Sequence, residues 1–415
     1  MDVSHKEMQG IISNCFTHNH ALFIKGAAGI GKSEGVAVAA RQHAKKLGRH
    51  FVEWVKLSRD KKRLLLESKT NREMVYIFLD KRIAQSDPSD LKGIPFREMV
   101  TIDSTDLQGN PIKVQTSYTS WLPNMDFLVL TLDGAAGIIF FDEMNLAPPM
   151  VQGAAYQIVL DRAIGEISFK EDVVVIGAGN RACDKANVYE MAGPLKNRFR
   201  NIQLAPPTAN QWIGDYALPK GKNGDVIAFL GFRPELMMEG ENMANGGNTS
   251  NVGSKDRDNF CTHRSWTKCA DVLDDFTIPQ PDGTQATKKK IDDVLRQIED
   301  QTATCIGDGT AAELTAFIKL RGLISIADIV KHPAKLAMLG VDVKYSILNA
   351  LANEYDKQGN KFMPKIIPML DPTILDADFA VILIRMCGSK NARFFSELAK
   401  HPSAQKHIDL FCKYI

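Results

Sequence analysis

The chain has 415 residues, 44% of them hydrophobic and 24% charged, and its 51 lysines and arginines against 49 acidic residues leave a formal charge of +2. That length accommodates two or three compact units of an ordinary globular protein. The near-balance of charge excludes a global field that would draw in nucleic acid or an anionic membrane. No apolar run approaches the roughly 18 residues of a membrane span, and Met1–Glu7 is polar, so neither a span nor a signal peptide is expected.

In chain order, the apolar run Ala21–Ile24 leads into Gly26-Ala27-Ala28-Gly29-Ile30-Gly31-Lys32-Ser33, and a helix-like run follows from Glu34 to Leu47. Gly-x4-Gly-Lys-Ser between a strand and a helix is a nucleotide-phosphate cradle. Its glycines let backbone N–H groups curl around phosphate, and the new helix points its positive end there. Lys32 is placed to reach the β- and γ-phosphates, and the Ser33 hydroxyl to ligate Mg²⁺. The basic runs Lys61-Lys62-Arg63 and Lys288-Lys289-Lys290 read as solvated faces.

Further strands are expected at Met74–Leu79, Gly137–Phe141, Val173–Ala178 and Asn201–Leu204. The strand at Gly137–Phe141 runs into Asp142 and Glu143. Asp142 would meet the metal held by Ser33, and Glu143 would orient and deprotonate the attacking water. Pro148-Pro149 opens a helix through Met150, Ala154, Ile158 and Val159, since proline suits a first turn. Arg162–Phe169 reads as a β-hairpin feeding the next strand. Gly179-Asn180 ends that strand, where the amide can bond the γ-phosphate or the lytic water. Gly193–Arg200 carries two arginines, Arg198 and Arg200, that compete for the role of a transition-state finger supplied by a neighbouring subunit; spacing alone does not separate them. Alternating strands and helices over residues 1–205 predict an α/β fold with a parallel sheet flanked by helices.

Beyond residue 205 the periodicity turns helical. Met237–Asp258, rich in Gly, Asn and Ser, reads as a mobile surface loop. Thr262-His263-Arg264-Ser265-Trp266 opens a helix whose arginine would reach back to a nucleotide. A capping box, Thr310-x-x-Glu313, precedes the apolar face Leu314, Phe317 and Ile318, with Gly322 as the stop. The remainder is helical, with an apolar stretch at Phe379–Ile384. Seven scattered cysteines with no Cys-x-x-Cys pair suggest reduced thiols and a cytoplasmic location. His18 and His20 lack a partner pair, so no metal site is expected there.

Phe141-Asp142-Glu143-Met144-Asn145-Leu146-Ala147-Pro148-Pro149-Met150-Val151-Gln152 resembles the Asp-Glu-x-Asn-x-Ala-Pro-Pro-x-Val-Gln signature of the MoxR-like AAA+ ATPases, of the helix-2-insert and pre-sensor-1 hairpin clade. Gly179-Asn180, Val188-Tyr189-Glu190 and Leu195–Phe199 resemble that group's sensor-1 and arginine-finger region, Arg264-Ser265-Trp266 its sensor-2 helix, and the hairpin near 163–171 its pre-sensor-1 insertion. The resemblance spans roughly residues 10–325. It implies an ATP- and Mg²⁺-dependent hydrolase in which Lys32 and Ser33 belong to Walker A, Asp142 and Glu143 to Walker B, Asn180 is sensor 1, Arg198 the trans finger in preference to Arg200, and Arg264 sensor 2. It also implies an αβα domain at 1–205, a helical lid at 206–323 and a C-terminal helical extension at 324–415. The partners it implies are a ring, usually a hexamer, a protein client, and a separate protein bearing a von Willebrand factor A domain. Two departures stand out: His263 and Arg181 occupy positions where the group commonly has proline.

Three functions compete at this point. The first is a protein-remodelling ATPase. The second is an ATP-driven nucleic-acid motor, disfavoured because no aromatic-basic stripe is visible. The third is a nucleotide-gated scaffold with little turnover, disfavoured by the intact Asp142, Glu143 and Asn180.

Overall fold

Runs of Val, Ile, Leu and Phe without polar alternation belong in strands covered on both faces, and such strands build the first of two units in the computed structural model. Described residues are 2–105, 108, 110–181, 189–238, 259–279, 284–322, 326–391 and 393–400. The chain divides into Met1–Pro206 and Pro207–Ile415.

The strands of the first unit are β1 (Asp2–Val3), β2 (Leu22–Lys25), β3 (His50–Glu53), β4 (Val75–Arg82), β5 (Ile94–Thr105), β6 (Pro111–Leu122), β7 (Gly137–Asp142), β8 (Ala163–Ile164), β9 (Ile167–Ser168), β10 (Val173–Gly179) and β11 (Arg200–Leu204). Seven of them form one sheet in the order β1-β11-β2-β10-β7-β4-β3. Every neighbouring pair is parallel. One face is covered by the helices His5–His18 and Lys32–Lys46, where Phe16 and His43 pack on Tyr76. The opposite face buries Phe23, Ile77, Leu79, Ile139, Phe141 and Val175 with residues of the helices Met125–Thr131 and Pro149–Leu160. This is the expected parallel sheet with flanking helices, and β2, β4, β7, β10 and β11 lie where the apolar runs placed them.

Register brings the carboxyl ends of the central strands to one edge. Gly179 of β10 lies opposite Lys25 of β2, Gly177 opposite Phe141 of β7, and Arg82 of β4 opposite Asp142. Ligands of open parallel sheets bind at this edge.

Three features go beyond the sequence reading. β1 extends the sheet beyond β11, and β3 with the helices Arg59–Glu67 and Lys69–Glu73 fills the long stretch after the first crossover helix. Between β4 and β7 stands an antiparallel hairpin of β5 and β6, paired from Ile94↔Leu122 to Thr105↔Pro111. The alternation of that pairing puts Ile94, Phe96, Val100, Ile102, Ile112, Val114, Tyr118 and Leu122 on one face. Arg97, Thr101, Asp103, Lys113, Gln115 and Thr119 lie on the other. Most of the apolar set is exposed. The shorter hairpin of β8 and β9 is where the sequence put it.

The regular elements among the described residues of the second unit are all helices, with one core that includes Phe229, Trp266, Leu314, Phe317, Leu348, Tyr355, Leu383 and Phe394. Core residues from Ile329 to Leu398 among those described therefore pack with core residues from Ala209 to Ile318. The helix expected to start at the Thr310 capping box instead begins at Asp308. Left-handed Gly307 (φ 83°) separates it from the helix Gln285–Ile306, so Thr310 falls inside the first turn, buried beside Cys261. Glu313 accepts a 2.6 Å bond from Arg233 rather than closing a box. Most of the loop expected at 237–258 lies outside the described residues, as do Val188, Cys183 and Cys412. The described cysteines 15, 261, 269, 305 and 387 form no disulfide among the described residues. No helix among the described residues is long and apolar enough to cross a membrane.

Candidate nucleotide-phosphate site

The turn from β2 into the helix Lys32–Lys46 needs two consecutive reversals, and Gly29 (φ 76°) and Gly31 (φ 88°) supply them in the left-handed region that only glycine enters without strain. Gly31 caps the helix without any side-chain hydrogen bond, so the first-turn N–H groups of a 15-residue helix remain available to an anion. Ile30 is 2% exposed and anchors the loop in the core.

Lys32 is only 8% exposed, and a buried ammonium needs oxygen partners. Its Nζ donates to the carbonyls of Gly26 (2.7 Å) and Ala27 (2.8 Å) and to Asn180 Oδ1 (3.2 Å). Ser33 Oγ donates to Asp142 Oδ2 at 2.8 Å. Gly26–Ser33 thus shares one small volume above the strand ends with Asp142, 109 positions beyond Ser33, and Asn180, 148 positions beyond Lys32.

Asp142 Oδ1 accepts the Glu143 N–H at 2.9 Å, which folds the chain sharply after β7. Glu143 pays for that turn with φ 53° and ψ 32°, a left-handed conformation uncommon for a residue with a Cβ. Such outliers persist where the surroundings over-determine them, commonly at functional sites. Here they include Met144 and Asn145, both buried immediately after it.

Asn145 is the residue that the sequence reading left without a role. Its Nδ2 donates to the Asn180 carbonyl (2.7 Å) and its Oδ1 accepts the Asn180 N–H (3.0 Å), a reciprocal amide pair that joins the carboxylate turn to the tip of β10. The Tyr189 N–H reaches the Asn145 carbonyl at 2.8 Å. Gly179 permits the approach, because a Cβ there would collide with the Asn145 amide. The signal was present in the Asp-Glu-x-Asn run, but one-dimensional spacing does not show an amide's partner.

Asp80, on β4, is a second residue that spacing did not single out. It shares a face of the sheet with Phe140 and Asp142. Burial first, and the Asp142 charge second, push its carboxyl up to about 6, while Arg82 opposes the shift. Its Oδ1 is shielded from solvent and has no hydrogen-bond partner.

Arg198 and Arg200 differ in surroundings. Arg200 Nη1 donates to Asn14 Oδ1 at 2.6 Å and lies 3.6 Å from Cys15 Sγ. Arg198 is exposed, and its guanidinium makes no hydrogen bond or ion pair among the described residues. Arg181 directly follows Asn180 at the strand tip and is half-buried. Arg264 belongs to the second unit, exposed in the first turn of the helix His263–Leu273. That helix is capped by Thr262 and Ser265, and the His263 imidazole, in place of proline, donates from Nε2 to the Pro207 carbonyl at 2.7 Å.

Mg²⁺ takes oxygen ligands, keeps several waters, and is held by one or two side chains plus substrate phosphates rather than by an all-protein cage. Ser33 and Asp142 fit that requirement, and no cluster of three or more His, Cys, Asp or Glu side chains suited to a metal occurs among the described residues.

No protein-family model matches the chain, and no curated protein matches it. Among solved structures the chain is similar to NtrX from Brucella abortus at 14% identity and a TM-score of 0.31, covering 75% of this chain and 62% of that one. It is similar also to NtrX in complex with ADP (15%, 0.30, covering 75% and 65%) and in complex with ATP (12%, 0.31, covering 75% and 67%). At that identity and overlap, the roles of individual residues rest on this chain's own geometry.

Proposed function

We propose that the protein is a Mg²⁺-dependent ATP hydrolase of the AAA+ type that works on a protein client. The observation that carries this reading is the 2.8 Å bond from Ser33 to Asp142 beside Lys32 and Asn180, which assembles a phosphate grip and a metal-holding pair at the edge of a parallel sheet.

In this reading the N–H groups at the start of the helix Lys32–Lys46 hold the phosphates, and Lys32 exchanges its Gly26 and Ala27 carbonyls for phosphate oxygens. Ser33 and Asp142 would hold a magnesium ion bound with the nucleotide, and its charge would offset that of the phosphates. Glu143 takes a proton from the water that attacks the γ-phosphorus. The bond from that phosphorus to the bridging oxygen breaks, releasing ADP and phosphate. Asn180 orients the water or the γ-phosphate, and Arg198 of a neighbouring subunit offsets transition-state charge. Arg264, on a lid formed by 206–323, reports nucleotide occupancy to the second unit, and 324–415 is an extension of it. The MoxR-like resemblance favours a hexameric cytoplasmic ring, a protein client and a separate partner with a von Willebrand factor A domain. The unpaired, exposed guanidinium of Arg198 supports a subunit boundary at that point.

Two variants test the site. Lys32→Ala should lose ATP binding, and Glu143→Gln should bind ATP while releasing phosphate at least 100-fold more slowly. Normal affinity in the first, or normal turnover in the second, refutes the assignment. Strong stimulation of phosphate release by DNA or RNA with a steep salt dependence would favour a nucleic-acid motor instead.

A further inference from the structure

The helix His5–His18 brings an imidazole to the phosphate loop from outside it. His5 Nε2 lies 2.8 Å from the carbonyl oxygen of Ile30. A carbonyl only accepts, so Nε2 carries the hydrogen. His5 also borders Gly31, where a Cβ would sit 3.4 Å from Nε2, and Gly35 on the first turn of the following helix.

The placement of His5 is built, not incidental. β1 pairs with β11 through Val3↔Leu204, and the Ala205 N–H donates to the Val3 carbonyl at 2.9 Å. The next residue, Ser4, caps the helix in a reciprocal box with Glu7. Met8, one turn on, is fully buried against Gly35. Two sheet residues, a cap and a core methionine therefore fix the backbone from which His5 projects.

What His5 holds matters because of peptide planarity. The Ile30 carbonyl and the Gly31 N–H belong to one trans peptide and point in opposite directions. That peptide lies between Ile30 and Gly31, and Gly31, at φ 88°, is the side freer to let it rotate. We infer that His5 is a positioning residue: by holding the Ile30 carbonyl on the outer side of the loop, it keeps the Gly31 N–H aimed inward at phosphate. This rests on the phosphate-site reading above and adds to it a residue outside the Gly-x4-Gly-Lys-Ser pattern.

The test compares His5→Ala, His5→Gln and His5→Asn in the full chain, with ATP and ADP affinity measured by calorimetry alongside melting temperature. The glutamine amide nitrogen overlays the imidazole Nε2, whereas the asparagine amide falls short. Alanine and asparagine should weaken both nucleotides about three- to tenfold, the range of one hydrogen bond, and glutamine should restore most of the loss. Because the interaction serves ground and transition states alike, KM should rise with kcat nearly unchanged. Wild-type affinity in His5→Ala overturns the inference, as does a loss that glutamine fails to rescue and that tracks melting temperature across all three variants. Absence of nucleotide binding in the unaltered protein would instead sink the phosphate-site reading, and the inference with it.

Discussion

Glu143 combines two properties that substitution can separate. Its carboxylate is the proposed base, and its backbone is held at φ 53°. Glycine adopts that conformation without strain, so Glu143→Gly should stabilise the fold by on the order of 1 kcal/mol in denaturant unfolding while abolishing phosphate release. A loss of stability would mean that the side chain contributes more packing than the turn costs. Asp80 makes a pH-dependent counterpart. Its folded pKa of about 6 lies above the ordinary carboxylate value of 3.8, so the native state holds the proton more tightly than the unfolded chain does. The penalty for ionising it is fully present above pH 6 and is relieved as pH falls through 6 towards 3.8. Asp80→Asn, measured without nucleotide or metal, should therefore raise stability at pH 7.5 by on the order of 1–2 kcal/mol, with the advantage fading below pH 5. An advantage constant with pH would show that the carboxyl does not titrate there.

At the scale of elements, the sequence spoke most clearly where one physical cause dominated. β2, β7 and β10 read correctly because strands covered on both faces need uninterrupted apolar runs. The turn at Gly26–Ser33 was visible because a left-handed double turn demands glycines at fixed spacing. Two-residue β1 is too short for any periodicity, and β3 is a half-exposed edge strand with a weak apolar signal. The hairpin of β5 and β6 was missed although it alternates, because Glu98, Ser104, Thr116 and Ser120 interrupt its apolar face. The Asn145–Asn180 pair was hidden for a different reason, since hydrogen bonds 35 positions apart leave no local pattern. An isolated two-stranded hairpin is marginal in water, and open edges beside exposed apolar residues invite association. Its ends meet at Ile94↔Leu122, so residues 94–122 can be replaced by a short turn. The excised protein should keep its parallel sheet by circular dichroism and its ATP affinity, and should self-associate less in light scattering. Loss of nucleotide binding would show that the hairpin supports the loop as well as projecting from the unit.

For the whole molecule, catalysis in trans requires that no single chain be self-sufficient. Arg200 is occupied by Asn14 while Arg198 is exposed, which favours Arg198 as the proposed finger. Arg198→Ala and Glu143→Gln should each be inactive alone yet recover measurable phosphate release when mixed, because some interfaces then join an intact Arg198 to an intact Glu143. No recovery, despite co-assembly shown by native mass spectrometry, would remove the trans arrangement. The clasp of the Asn145 side chain on the Asn180 backbone joins two strand ends of the proposed site. With the Asn145 side chain engaged on the Asn180 backbone, the tip of β10 and the elbow after β7 are tied into one stiff lever, so in the proposed mechanism sensing the terminal phosphate and aiming the water would become a single displacement, and loss of the Asn145 amide would blunt both.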